Sequence, residues 1–475
     1  TFSGATGTFT GGIGAPGIDV TLTFAGLDYQ PSALLLGSLA VTTTTKASLS
    51  GANALVTTGT QTYTGAVELA DGAALSGESL TFNDSLTLLG SSDLTATAGG
   101  LAVTGAFSST GAANLTATGA LSLGSTAAFA GGGVLKAGPT ATFAGLVTIG
   151  TGKLLDITAT ATTFDGRVLG PGGLAVHGAG RFNGFVGYNA ALPFDTLSSL
   201  NVTGEAVIAA ESLSGFGTVF VTGTELFGGK VTLLGNTYFD GTSATLDGAV
   251  EGPGELRTFD DAMPITFNGS VGATVPLNLL DIGAATLNGG LIRTTLGQNY
   301  AGTVTIGGDV TLAAGSLAMA AVQGAHNLTL DVTGAASIGP VTGLGSGSGA
   351  AITIDSAGAT TFTGAVGTAT GIVQTSNSAV TFADDVTIGS GGLDSLFNGS
   401  VTFNGAQFLS GGAVTFGDTS ADALVIGNPG GAVVTTAAAG RAVTIRAATT
   451  LNGALVIDTG AGALSLGWVD GAPAL

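Results

Sequence analysis

A four-residue phrase, Thr-Phe-x-Gly, returns along this chain. It stands at Thr163-Phe164-Asp165-Gly166, Thr266-Phe267-Asn268-Gly269, Thr361-Phe362-Thr363-Gly364 and Thr402-Phe403-Asn404-Gly405. Looser copies are Thr62-Tyr63-Thr64-Gly65, Thr142-Phe143-Ala144-Gly145 and Asn299-Tyr300-Ala301-Gly302. A phrase repeated in sequence is one supersecondary unit repeated in space, and such a unit buries its apolar face only against its neighbours. Chain length then sets the number of units rather than the number of domains, so residues 1–475 read as a single continuous body, whether whole or a segment of a longer chain.

The short period around the phrase is two. Val147-Thr148-Ile149, Val231-Thr232-Leu233, Val304-Thr305-Ile306, Val386-Thr387-Ile388 and Val443-Thr444-Ile445 alternate apolar and polar residues. That is the pattern of a half-buried strand built from β-branched side chains. Glycine, 84 of 475 residues, interrupts nearly every window of helix length. The long period is close to 20. Anchors fall at Tyr63, Phe82, Ala102, Ser122, Phe143, Phe164, Phe182, Val202, Phe220 and Phe239, in steps of 18 to 21 residues. They resume at Phe267 and Leu287, then at Phe362, Phe382 and Phe403. Asn-Gly and Asp-Gly dipeptides between anchors are expected to make corners with positive φ. A longer block also recurs: Phe182-Asn183-Gly184 and Phe267-Asn268-Gly269 open similar stretches, 85 residues apart.

The expected fold is therefore all-β, a parallel β-solenoid or β-helix of about 20 residues per coil. Stacking 22 to 24 coils at about 4.8 Å predicts a rod on the order of 110 Å long. An antiparallel transmembrane barrel would use the same Asn-Gly hairpins but needs aromatic girdles of Tyr and Trp. The chain has 5 Tyr and 1 Trp against 23 Phe. A propeller needs a blade period near 40, and nothing recurs cleanly at that length.

Three further phrases carry a family likeness. They are the FNGxVG openings at Phe182 and Phe267, Thr286-Leu287-Asn288-Gly289-Gly290, and a Gln-x-Tyr-x-Gly phrase. The last stands at Gln61-Thr62-Tyr63-Thr64-Gly65 and Gln298-Asn299-Tyr300-Ala301-Gly302. Together they resemble the strand repeats of bacterial filamentous-haemagglutinin-like and autotransporter-like surface proteins. The resemblance implies a right-handed β-helix that is exported and displayed at the bacterial cell surface as a rod or fibre.

Composition narrows the function. Asp and Glu outnumber Lys and Arg by 30 to 10, giving a net charge of −20. That excludes a nucleic-acid partner, which needs clustered basic residues, and no apolar run is long enough for a membrane-spanning helix. There is no cysteine, which fits an extracellular repeat protein that needs no disulfides.

The residues offer little chemistry. His177 and His326 stand too far apart in sequence to share a site in a solenoid, and without cysteine no structural zinc site is expected. The acid pairs Asp260-Asp261 and Asp384-Asp385 point to opposite faces of a strand, which does not build a general acid/base dyad. The nearest approach to a calcium nonapeptide, Gly11-Gly12-Ile13-Gly14-Ala15-Pro16, has Pro where Asp is required. Rows of Thr, as in Thr158-Ala159-Thr160, suggest ice binding only if they stay in phase over many coils. No catalytic, cofactor or metal residue is therefore assigned, and weak calcium binding by scattered carboxylates stays open. The expectation is a non-enzymatic extracellular structural or adhesive rod that self-associates head-to-tail. A glycan- or host-receptor-binding adhesin is the alternative, and a polysaccharide-cleaving β-helix enzyme a third.

Overall fold

A computed structural model describes residues 1–9, 17–29, 34–50, 54–187, 196–209, 217–389, 393–436 and 438–471. The near-match to a calcium nonapeptide lies outside them. The described residues form 56 β-strands and no helix. Every described strand pair is parallel, with partners about 20 residues apart, so the chain is a β-solenoid of about 21 turns. Parallel pairing rules out the barrel. The chain divides into two compact units, Thr1–Ala244 and Thr245–Leu475.

Each unit is built from three ladders, one per face. In the amino-terminal unit the first ladder carries Tyr63, Phe82, Val103, Leu123, Phe143, Phe164 and Phe182, each paired with the next. The second carries Leu88, Ser109, Phe129 and Ile149. The third carries Leu75, Leu94, Leu115, Leu135, Ile157 and Val176. These strands are mostly three to five residues long with the pattern buried, half-buried, buried. Two inward side chains per face per coil make the core. Ring stacking follows the backbone rise: Tyr63 on Phe82 at 4.9 Å and 5°, Phe143 on Phe164 at 4.8 Å and 11°, Phe164 on Phe182 at 5.2 Å and 5°. Burying each Phe contributes about 2–3 kcal/mol.

In the carboxy-terminal unit one ladder runs Ile292, Leu312, Leu330, Ile354, Gln374, Phe397, Phe416 and Ile445. A second runs Ile282, Tyr300, Met319, Ile338, Phe362, Phe382, Phe403 and Ile426. A third contains Phe267, Leu287 and Ile306. At the last described coil Leu464 and Leu466 keep core register on Val443 and Ile445. They are nevertheless 46% and 49% exposed, because no described strand lies over them.

Three expectations are corrected. First, Ala102 and Ser122 are not anchors, because the inward residues of their strands are Val103 and Leu123. Beyond Phe182 the anchor series steps off its ladder. Phe182 pairs with Ile208 and then Leu233, steps of 26 and 25 residues. Val202 and Phe239 belong to the other two faces, and Phe220 pairs with Asp240 on the outward side. Longer coils break a constant step, but pairing register holds. Second, the Thr-Phe-x-Gly phrase is a property of one face and its corner rather than of a whole coil. Phe267 and Phe362 lie on different ladders of the same unit. Third, positive φ explains only some of the glycine corners: Gly65 (φ 101) and Gly72 of Asp71-Gly72 (φ 76) adopt it as expected, but the glycine that follows Phe in the phrase does not. Gly166, Gly184, Gly269, Gly289 and Gly405 all have ordinary φ. A Cβ added at Gly166 would fall against the carbonyl of Gly145, and one at Gly184 against that of Gly166. Gly289 crowds Gly269 in the same way. The corners of successive coils approach so closely that only a hydrogen fits between them.

Candidate functional site

The titratable residues singled out by the sequence are brought to no common centre. His177 and His326 lie in different units, and each sits beside a carboxylate of the preceding coil. His177 Nε2 is 3.1 Å from Asp156 and His326 Nδ1 is 3.5 Å from Asp309. Asp260 accepts the Ala262 amide at 2.8 Å within its own turn. Asp384 accepts the Asp385 amide at 2.8 Å, and Asp385 accepts Ala406 and Gln407, both at 2.8 Å. Among the described residues no group of three or more His, Asp or Glu is placed to hold a metal ion.

The acidic corners have a structural use that composition did not show. Asp71 accepts the Ser91 amide at 2.8 Å, Asp309 that of Asn327 at 2.9 Å and Asp394 that of Ala413 at 2.9 Å. Asp165 takes Asn183 Nδ2 at 2.8 Å, and Asp247, Asn268 and Asn288 form a rising chain at 2.6 and 2.7 Å. Each bond joins one coil to the next. Corners interrupt the ladder and leave amide donors, and an acceptor-only carboxylate satisfies them.

Threonine hydroxyls are used in the same direction. Thr97, Thr118 and Thr160 donate to the carbonyls of Gly77, Ala96 and Gly138 at 3.1, 3.0 and 3.1 Å. Lys136 and Gly138 occupy the intervening coil. The Thr row is thus interrupted, and its hydroxyls are turned back to the protein.

The most developed polar surface lies on the second ladder of the carboxy-terminal unit. Arg257 donates from Nη1 to Asp281 and from Nε to Glu255, both at 3.0 Å. Asn299 Nδ2 donates to Asp281 Oδ1 at 2.7 Å, and Asn278 reaches Glu255 at 3.4 Å. Gly297 and Ser316 follow outward on the next coils, opening a groove of about 360 Å³ beside Leu279. The groove offers hydroxyl, amide and carboxylate groups held rigid by one another, with one small apolar surface. It has no nucleophile with an adjacent base, and its chemistry is hydrogen bonding.

Polar groups also enter the core, and sequence reasoning missed their role. Gln61, fully buried, donates from Nε2 to the carbonyls of Leu55 at 3.2 Å and Ser76 at 2.8 Å, and accepts Tyr63 Oη at 2.7 Å. Gln298 repeats this with Ile292 at 3.0 Å, Ala313 at 3.1 Å and Tyr300 Oη at 3.1 Å. Gln-x-Tyr is a core brace, and its two copies in the sequence were the available signal. Burial holds both phenols above the usual tyrosine range. Glu225 is 1% exposed, and neither carboxyl oxygen has a hydrogen-bond partner. Desolvation, followed by the like charge of Asp240, raises its pKa well above the usual carboxyl value.

No protein-family model, no curated protein and no solved structure matches the chain.

Proposed function

We propose that this protein is an extracellular structural or adhesive element of a bacterial surface, a rod or filament former that associates head-to-tail. The observation that carries this reading is the coil-on-coil economy of the polar residues. Carboxylates, amides and hydroxyls at corners and faces are spent on joining neighbouring coils, as with Asp385, Asn268 and Thr118. Such a body gains stability one coil at a time and reaches length by repetition. Negative-stain electron microscopy of the purified chain tests the reading. Rods that join into filaments as concentration rises are expected, and compact particles would overturn it.

The groove of Arg257, Asp281 and Asn299 favours the second reading, a glycan- or receptor-binding adhesin. Braced planar polar groups beside a small apolar surface suit sugar hydroxyls. Binding on a glycan array that Asn299→Leu removes is the expected result if this reading holds.

A further inference from the structure

Glu225 sits on the strand Thr224–Phe227, in the inward register of the third ladder of the amino-terminal unit. Leu200 lies opposite it on the paired strand Ser199–Val202, which carries no charge. The segment Gly241 to Ala244 is also uncharged. Gly241 packs closely there: a Cβ would stand 2.9 Å from the Gly223 carbonyl and 3.5 Å from Glu225 Oε1. Among the described residues the charged group close enough to act on Glu225 is Asp240, outward on Thr237–Asp240, and its charge has the same sign. The nearby ion pair of Lys230 with Glu205 spans 3.5 Å between side chains 45% and 63% exposed. It faces solvent rather than the carboxyl. Among the described residues neither a donor nor a counter-charge is therefore offered to an ionised Glu225, and an isolated buried carboxylate is among the costliest groups a core can hold.

We propose that the coil around Glu225, residues 217–242, is a proton-sensitive joint: closed while the carboxyl is neutral, and opening as the carboxyl ionises. Closing the coil takes up one proton. The sign follows from linkage. With the folded pKa above the unfolded one, the closed state is fully favoured below the unfolded carboxyl pKa. That advantage is lost as pH rises through the folded pKa. Between the two values, opening releases one proton, so the opening constant rises tenfold for each pH unit.

Amide hydrogen exchange on the full chain reads this directly. Hydroxide catalysis alone multiplies exchange tenfold per pH unit when opening is a fast pre-equilibrium. In the window between the two pKa values, amides closed by this coil should instead rise about a hundredfold per unit. Suitable probes are Phe220, bonded to Val186, Thr222, bonded to Leu197, and Gly228, bonded to Val202. Thr104 and Ala144 in earlier coils, bonded to Phe82 and Leu123, should rise tenfold and serve as internal references. In Glu225→Gln the steep dependence should fall to the reference slope. Glu225→Met serves the same purpose should the Gln variant fold poorly, as circular dichroism would show. A tenfold slope at Phe220, Thr222 and Gly228 in the unsubstituted chain overturns the proposal. So does protection of these amides by added calcium that disappears in Glu225→Gln, since that would make the carboxyl a cation ligand rather than a proton store.

Discussion

Among the described residues two glutamates enter the interior, one in each unit, and they are treated oppositely. Glu251 is 8% exposed, and its carboxyl accepts the amides of Thr274 and Val275, at 3.1 and 2.6 Å. Glu225 is more deeply buried and accepts nothing. The difference lies in what a neighbouring coil presents. After Glu251 the chain turns through Thr274 and Val275 with their N–H groups pointing at the carboxyl. Beside Glu225 stands Leu200, in regular ladder register, with its own N–H directed along the ladder. An inward acid is thus satisfied at a strand end that meets a turn with free amides, as at Glu251, and left unsatisfied within a ladder whose donors are already committed, as at Glu225. Gln298 shows the other solution. An amide at a strand position carries its own donors and finds carbonyls at Ile292 and Ala313.

The largest effect expected concerns neither acid, and it checks that the two units share one backbone. Gly166→Val and Gly269→Val each place a branched side chain against the preceding corner, at Gly145 and Gly248. Each should cost about 3 kcal/mol in its own unit, measured by urea denaturation. Loss in one unit only would mean that backbone crowding, and not polar pairing, separates the two. Next comes the pair of glutamates. Glu251→Leu leaves the amides of Thr274 and Val275 without an acceptor and should destabilise by about 1–3 kcal/mol. Glu225→Leu removes a group with no partner and should stabilise at pH 8. Thermal melts in which both variants shift in the same direction would end the contrast.

Why one of these was readable and the other was not comes down to register. The strand Thr224-Glu225-Leu226-Phe227 can bury either Leu226 or the pair Glu225 and Phe227. The structure leaves Leu226 37% exposed and buries Phe227, which stacks on Phe239 at 5.7 Å. A stacked ring outweighs an exposed leucine, and it carries the acid inward with it. No local pattern states that balance, because Phe239 lies on another face of the coil. Elsewhere alternation sufficed: Val147-Thr148-Ile149 and Val443-Thr444-Ile445 are buried, half-buried, buried as their sequence implies. The corner glycines were legible as essential but not for the right reason, since coil-to-coil distance is absent from a sequence. The groove was hidden in the same way, because Arg257, Asp281 and Asn299 converge only through pairings 24 and 18 residues apart.

The smaller predictions sharpen the comparison between braced and unbraced polar cores. Tyr300→Phe removes one donor to Gln298 Oε1 but keeps the ring in the ladder. It should cost about 1–2 kcal/mol, and Tyr63→Phe the same in the other unit, because the two braces bond carbonyls at the same offsets, 6 and 15 residues away. Equal losses in denaturant melts would establish the brace as a transferable part. At the far end stands Thr118→Val. Its hydroxyl bond to Ala96 duplicates a backbone bond from the same residue to the same carbonyl, at 3.1 Å. Deleting the hydroxyl leaves that carbonyl an acceptor still in use, so the change should stay within about 0.5 kcal/mol. A loss as large as that of Tyr300→Phe would show that outward hydroxyls, and not only inward braces, hold successive coils together.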